Sequence, residues 1–439
     1  MCGIAFDSWG TIGADWLARG IRHRGPDEVS VQTFRDLGCL VHLRLSLVGV
    51  TSPSAKQPHI SNRSETVFNG EVFDYEFLAP RNGKGEISLL SEIEVLSDMV
   101  DNDRDLTQLN AYYALLSVRK SEKRVVLARD LFGVCPLFYG LHAGRFMVCS
   151  ERQPLCSFMP SRKVHEVPAG STLIFDLKKK NAPKLVSHVE VKPQTSLSID
   201  ELSPRVIMDT LQRAVLRTYR HSDGPVGLAL SDGLDSRLIL NALPVDASLY
   251  TFSMTGAVSE ELKQRVLGTG HQGQWHIVTP TSLELTQALL SYRKHLGPIL
   301  GNMNVIAARA FVRHWCIARV ANEKVLLCGE GADELFCGYP PHVKHELVPM
   351  ELARKRLSML RSMSNMVLYR ANVAGLLHSK EYRVPYLDRE LTSLVLNSRP
   401  QANKQQLRAC LPTFNSPKYT EEDKLLTDYV RATLKLMES

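Results

Sequence analysis

A cysteine stands second in the chain, between Met1 and Gly3. Methionine ahead of a small residue is usually trimmed, which leaves Cys2 with a free α-amine. That amine titrates near neutrality and sits where a local base for the thiol should sit, the logic of an N-terminal nucleophile. A second chemical segment begins at Pro225. The apolar run Pro225 to Leu230 ends in Ser231-Asp232-Gly233-Leu234-Asp235-Ser236, and a helical pattern follows. Strand, loop, then helix is a phosphate-binding arrangement: backbone N–H groups and a helix N-terminus face an anion, with the Ser231 and Ser236 hydroxyls as added donors. It is not the GxxxxGKS/T phosphate loop. Taken alone, a chance cysteine and a plain turn into a helix are the ordinary alternatives.

The neighbours of Cys2 narrow the choice. Arg22-His23-Arg24-Gly25-Pro26-Asp27, His42-Leu43-Arg44-Leu45-Ser46, Gln57-Pro58 and Asn69-Gly70-Glu71 follow it in that order. Together they resemble the class II glutamine amidotransferase domain of the asparagine synthetase family, whose motifs read RHRGPD, RLS, QP and NGE. The resemblance implies attack of the Cys2 thiolate on a glutamine side-chain amide. The Asn69 side chain and the Gly70 N–H would then donate to the tetrahedral oxyanion. Arg44 would clamp the glutamine α-carboxylate, and Glu71 and Glu92 would complete the glutamine site. The family carries Asp in an S-D-x-E stretch where this chain reads Ser91-Glu92-Ile93-Glu94. The extra methylene of Glu92 predicts weakened or shifted glutamine binding. Arg129-Asp130-Leu131-Phe132-Gly133-Val134-Cys135-Pro136-Leu137 resembles RDxFGxRPLYY with Cys135 in place of an arginine, and is read as scaffold.

The second half carries the resemblance onward. Ser231 to Ser236 resembles the SGGxDS pyrophosphate loop of adenylating ATP pyrophosphatases, and Cys328 to Tyr339 resembles SGEGxDELFGGY. Glu381 to Asp388, preceded by Arg370-Ala371-Asn372, resembles ExRVPFLD, and Lys404 to Arg408 matches KxxLR. The likeness thus runs collinearly from Cys2 to about Lys418. It implies acyl-adenylate formation with ATP and Mg²⁺ as cofactors. Asp235 and Asp333 would be the metal ligands, Lys404 the charge on the pyrophosphate, and Glu330 the acceptor of a proton as ammonia attacks. Ala229, Ser231, Gly233, Asp235, Ser236, Met254, Cys328 and Gly329 would contact ATP.

Several departures lie close to this chemistry. Asp232 replaces a loop glycine, which leaves three outcomes: an outward side chain, a metal contact or weakened ATP use. Cys328 replaces a serine. Leu296 to Asn304 stands where the family carries ETYDVTTIRAS beside the acceptor, and shares little with it. Aspartate amidated to asparagine is the leading expectation. The alternatives are the same machinery amidating a different carboxylate, as natural-product relatives do, and a non-catalytic paralogue keeping the fold. β-Lactam synthetases and lasso-peptide cyclases rank lower because they typically lack the N-terminal cysteine.

These residues need two kinds of scaffold. Before residue 187 short β-rich runs bounded by turn residues dominate: Leu40 to Val50, Thr66 to Phe73, Arg124 to Ala128, Leu137 to Tyr139, Arg145 to Cys149 and Ser171 to Phe175, with Leu89 to Val100 helical. After residue 201 helical patterns (Leu202 to Thr218, Asp235 to Ala242, Ala307 to Val320) alternate with strands (Pro225 to Leu230, Leu249 to Met254, Lys324 to Leu327), which implies a parallel sheet. The family implies an α+β N-terminal nucleophile hydrolase domain of αββα layering over residues 2–186. An α/β parallel-sheet adenylating domain over 202–439 follows a polar linker at 187–201. An internal ammonia route between the two chemistries is also implied.

At 439 residues, 44% hydrophobic and 23% charged, the composition is that of a soluble globular protein, and the length favours two domains. A net charge of +7 without dense basic runs gives no case for nucleic acid. No apolar stretch is long enough to span a bilayer, and no signal-peptide pattern opens the chain. The 9 cysteines lack CxxC spacing, so reduced thiols in the cytoplasm are expected. The expected partners are small molecules (glutamine, aspartate or another carboxylate, ATP), with no nucleic acid and no membrane. A homodimer is compatible with the sequence.

Overall fold

A computed structural model describes residues 1–73, 75, 91–189, 202–339, 348–414 and 420–438, and the chain divides into two compact units, Met1–Glu190 and Val191–Ser439. The first unit contains β1 (Gly3–Asp7), β2 (Glu28–Phe34), β3 (Gly38–Arg44), β4 (His59–Ile60), β5 (Glu65–Val72) and β6 (Ala111–Arg119). It continues with β7 (Arg124–Arg129), β8 (Phe138–His142), β9 (Arg145–Cys149), β10 (Val164–Glu166), β11 (Ser171–Asp176) and β12 (Lys184–His188). They form two antiparallel sheets of six strands, in the orders β10-β8-β9-β1-β3-β2 and β12-β11-β7-β6-β5-β4.

Strand alternation builds the layers. Phe175 in β11 stacks on Phe146 in β9 with ring centroids 3.8 Å apart, joining the sheets. Its neighbour Ile174 points the other way, into a cluster where Ile93, Leu96 and Val100 of the Glu92–Asp101 helix meet Phe68, Val72 and Leu115. The Thr11–Gly20 helix buries Ala14, Leu17 and Ala18 and packs on β1 and β3. Helix, sheet, sheet, helix is the αββα order.

Differences from the sequence reading have local causes. The strand expected over Leu40 to Val50 ends at Arg44, because Gly49 (φ +61°) turns the chain and Arg44 binds the carbonyls of that turn. β6 was not anticipated: AYYALLSVR is almost continuously buried, and an unbroken apolar run has no period to separate strand from helix. Residues 190–201 of the expected linker lie outside the described residues, and β12 already takes in Ser187 and His188.

The second unit is built on β13 (Val226–Ala229), β14 (Ser248–Phe252), β15 (Trp275–Val278), β16 (Val325–Leu327) and β17 (Glu381–Arg383). All pairings are parallel, in the order β15-β14-β13-β16-β17. Strand order reverses about β13, which lies between β14 and β16. That puts the loops after β13 and β16 side by side at the carboxyl ends, the place where open parallel sheets bind ligands. The sequence reading places no strand at β15 or β17; β17 is Glu381-Tyr382-Arg383, buried throughout yet without an apolar run.

Candidate functional sites

Cys2 precedes β1, which runs centrally between β3 and β9 with Gly3 opposite Leu43. Buried Arg24 holds the chain start: Nε donates to Cys2 O (3.2 Å) and Nη1 to Glu151 Oε1 (3.1 Å), which His23 also meets at 2.8 Å. The Cys2 Sγ lies 4.0 Å from Leu45 O. Arg44, at the end of β3, donates to Gly49 O (2.8 Å), which orients its fork at the edge of a pocket. That pocket is lined by Cys2, Arg44, Gly49, Phe68, Gly70, Glu71, Tyr75 and Glu92.

β5 aims the rest of the wall. Gly70 has φ +141°, and a Cβ there would lie 1.8 Å from Tyr112 O, so only glycine fits. Asn69 is fully enclosed rather than part of the wall, and its amide N and O have no hydrogen-bond partner among the described residues. An orphaned buried amide costs about 1–3 kcal/mol. Glu92 opens its helix and accepts from Val72 N (2.5 Å), so one oxygen already ties helix to strand. His42 is neutral: burial, with the Arg44 charge adding, pushes its pKa down to about 3. Cys135 is buried with Sγ 3.7 Å from Met1 Sδ, a packing role beside the chain start.

In the second unit the loop after β13 is knit by its own hydroxyls. Ser231 N donates to Ser236 Oγ (3.0 Å), and Gly233 N to Ser231 Oγ (3.1 Å). The Leu234–Ala242 helix starts immediately beyond Gly233. Asp232 resolves one departure: its Oδ1 pairs with Arg237 Nη2 (2.8 Å) and accepts from Ser259. Arg237 is fully buried, also pairs with Glu261, and lies 5.2 Å over the Phe414 ring. The Asp232 carboxylate is therefore paired from inside the helix, on a guanidinium that it shares with Glu261.

Asp235 and Asp333 converge on Lys404, with Nζ 2.5 Å from Asp235 Oδ2 and 2.9 Å from Asp333 Oδ1. Burial works against the Lys404 charge, but the two carboxylates outweigh it and hold the ammonium up at about 12. Burial raises Asp235 to about 6, opposed by Lys404 and reinforced by Asp333. Two carboxylates thus share one ammonium, and Asp235 Oδ1 has no hydrogen-bond partner among the described residues. Hard oxygen donors, with Asp235 Oδ1 left open, fit a divalent cation such as Mg²⁺. Lys404 is aimed by strain: Asn403 (φ +56°) and Lys404 (φ +54°) are consecutive left-handed residues, each costing about 1 kcal/mol or more. Gly338 makes the room, since a Cβ there would come within 2.0 Å of Asp333 Oδ1 and 2.3 Å of Lys404 Cε.

Gly329 brings the loop after β16 against the first loop, where a Cβ would meet Asp235 Cβ at 2.8 Å. Cys328 is buried, which pushes its thiol well up, and its N–H donates to Arg383 O (3.0 Å). Glu330 Oε1 accepts from Arg370 Nη2 at 2.9 Å and lies 3.6 Å from His314 Nε2. Ala229 closes β13, while Met254 follows β14 and donates its N–H to Glu422 Oε2 (2.7 Å). Glu422 also accepts from the Ser253 and Thr255 hydroxyls, both at 2.8 Å. Neither His314 nor Glu422 was signalled by the sequence, because each reaches the site from a distant helix face. The segment Leu296 to Asn304 forms a short helix, Gly297–Leu300, then turns at Gly301 (φ +92°), whose carbonyl accepts from the Tyr292 hydroxyl at 2.9 Å.

Comparison with known proteins gives two adjoining matches: the glutamine amidotransferase domain over residues 1–200 and asparagine synthase over residues 207–365. Among curated relatives, asparagine synthetase (glutamine-hydrolyzing) of Zea mays is 26% identical over 424 residues, covering 88% of this chain and 67% of its own. Asparagine synthetase (glutamine-hydrolyzing) 1 of Saccharomyces cerevisiae is 26% identical over 88% of this chain and 73% of its own. Asparagine synthetase B (glutamine-hydrolyzing) of Escherichia coli is 25% identical over 91% of this chain and 75% of its own. The two families are matched in collinear order, so this chain carries a glutamine amidotransferase domain followed by an asparagine synthase domain.

Proposed function

We propose that the chain is an ATP-dependent, glutamine-hydrolysing carbon–nitrogen ligase that makes asparagine from aspartate, with AMP and pyrophosphate as products. The observation that carries the reading is the gathering of Cys2, Arg44, Gly70, Glu71 and Glu92 around one pocket, beside the buried unpaired amide of Asn69. Residues 2–186 are assigned to glutamine hydrolysis, 187–201 to a linker and 202–439 to synthesis.

With Met1 removed, the Cys2 α-amine takes the thiol proton and the thiolate attacks the glutamine amide. Asn69 Nδ2 and Gly70 N–H stabilise the oxyanion. Arg44 holds the substrate carboxylate, and Glu71 and Glu92 face its ammonium. In the second half, the loop from Ser231 through Gly233 to Ser236, with its hydroxyls and the start of the Leu234–Ala242 helix, cradles the ATP phosphates. Ala229, Met254, Cys328 and Gly329 line the adenine. Asp235 and Asp333 would hold Mg²⁺, which neutralises phosphate charge when bound. Lys404 sets a fixed positive charge against the leaving pyrophosphate. Ammonia then attacks the acyl-adenylate carbonyl, and Glu330 receives the proton it sheds.

A second reading, amidation of a different carboxylate, draws on the stretch Gly297 to Met303, which offers no charged side chain to an amino-acid acceptor. Mass spectrometry of products from glutamine, Mg²⁺-ATP and a panel of carboxylates decides between them. Asparagine and AMP from aspartate are expected. AMP with another acid alone would transfer the assignment to the second reading, and no AMP with any acid would reject both.

A further inference from the structure

We propose that His314 is a relay for the synthetase site, taking from Glu330 the proton that Glu330 removes from attacking ammonia. The inference rests on the role given to Glu330 above. Its ground is the geometry around one carboxylate oxygen. His314, on the Val305–Val320 helix, has Nδ1 3.0 Å from Ala310 O. A carbonyl can only accept, so Nδ1 carries the hydrogen and Nε2 is the basic nitrogen. Nε2 lies 3.6 Å from Glu330 Oε1, longer than a hydrogen bond. That is the separation of two acceptors with no proton between them. A proton arriving on Glu330 supplies the missing donor.

Arg370 Nη2 donates to the same Oε1 at 2.9 Å, which fixes the carboxylate facing the ring. The His314 ring has a lone pair open to receive the proton: burial, opposed by Glu330 and reinforced by Arg370 and Arg313, lowers its pKa, so the ring is neutral at pH 7. Tyr382 fixes it from β17: the two rings meet edge to face at 4.7 Å, and the tyrosine hydroxyl donates to His314 O at 2.7 Å. The step balances. The ammonia nitrogen bonds to the acyl carbon, the C–O bond to AMP breaks with its electron pair leaving on the phosphate, and one N–H proton passes to Glu330 and then to Nε2. The imidazolium left behind donates to Ala310 O and to the restored carboxylate. His314 touches no reacting atom and acts through Glu330.

Two measurements on the full chain test this. NMR titration of the His314 ring, assigned by its loss in His314→Asn, should give a pKa that falls by about one unit in Glu330→Gln, because the facing carboxylate is gone. No change would overturn the contact whatever the enzyme makes. With ammonia as nitrogen source, His314→Ala should lower kcat for amide formation about 100-fold, leave the KM for ATP within twofold, and regain rate on adding imidazole. His314→Gln, which keeps bulk but cannot take the proton, should lose as much and not be rescued. Full activity in His314→Gln, or a loss that imidazole never restores in a folded His314→Ala, would overturn the relay. Absence of product from the unmodified chain would reject the functional reading instead, and the titration would still decide the contact.

Discussion

At the scale of single residues the two sites share a device: a glycine makes room for a charged or polar group that nothing larger would admit. Gly70 lets β5 pass against β6, and Gly338 leaves space for Asp333 to meet Lys404. For Gly70→Ala, the added carbon 1.8 Å from Tyr112 O must displace the strand that carries Asn69. Glutaminase kcat is expected to fall about 100- to 1,000-fold through the lost oxyanion donors. Ammonia-driven synthesis should persist, and steady-state assays with each nitrogen source check both. Equal loss of the two activities would mean that the change simply unfolds the chain.

At the scale of elements, the Leu234–Ala242 helix shows how a departure from the family pattern is accommodated. Asp232 would be costly as a bare charge beside phosphates, and Arg237, five residues on, answers it from inside the helix. Because Arg237 is buried, removing its partner should cost more than removing both. Asp232→Gly is expected to lower stability by about 1–3 kcal/mol, with Glu261 left as the remaining acidic partner. The double variant Asp232→Gly/Arg237→Leu should recover much of it. Urea unfolding of the four members of the cycle measures the coupling. Additive losses would mean that the pair does not hold the loop.

At the scale of the whole molecule, two units of different sheet chemistry lie on one chain. The first is antiparallel with helices outside its paired sheets, and the second is a parallel sheet with its ligand loops at the carboxyl ends. No helix among the described residues is long and apolar enough to cross a membrane. Separate chemistries predict separable activities. Cys2→Ala should abolish synthesis from glutamine while free ammonia still supports it, measured as AMP released with each nitrogen source. Loss of both in a folded protein would count against two independent sites.

The sequence by itself determined the chemistry-bearing motifs and their order, since each short run keeps its own local requirement: a loop before a helix, a glycine where the backbone must come close, a cysteine at the start. Periodicity also marked the helices Pro204–Arg220 and Val305–Val320 and the strand Arg145–Cys149. It could not mark β6, buried almost throughout, or β17, whose Glu381 and Arg383 are buried without an apolar run. Only the tertiary structure decided which distant groups meet. Lys404 reaches Asp235 across 169 residues, and Glu422 reaches Met254 across 168. The same holds for the pairing of Asp232 with Arg237 and for the nitrogen that His314 turns to Glu330. Such contacts depend on where packing sends a side chain, and local sequence carries no record of that.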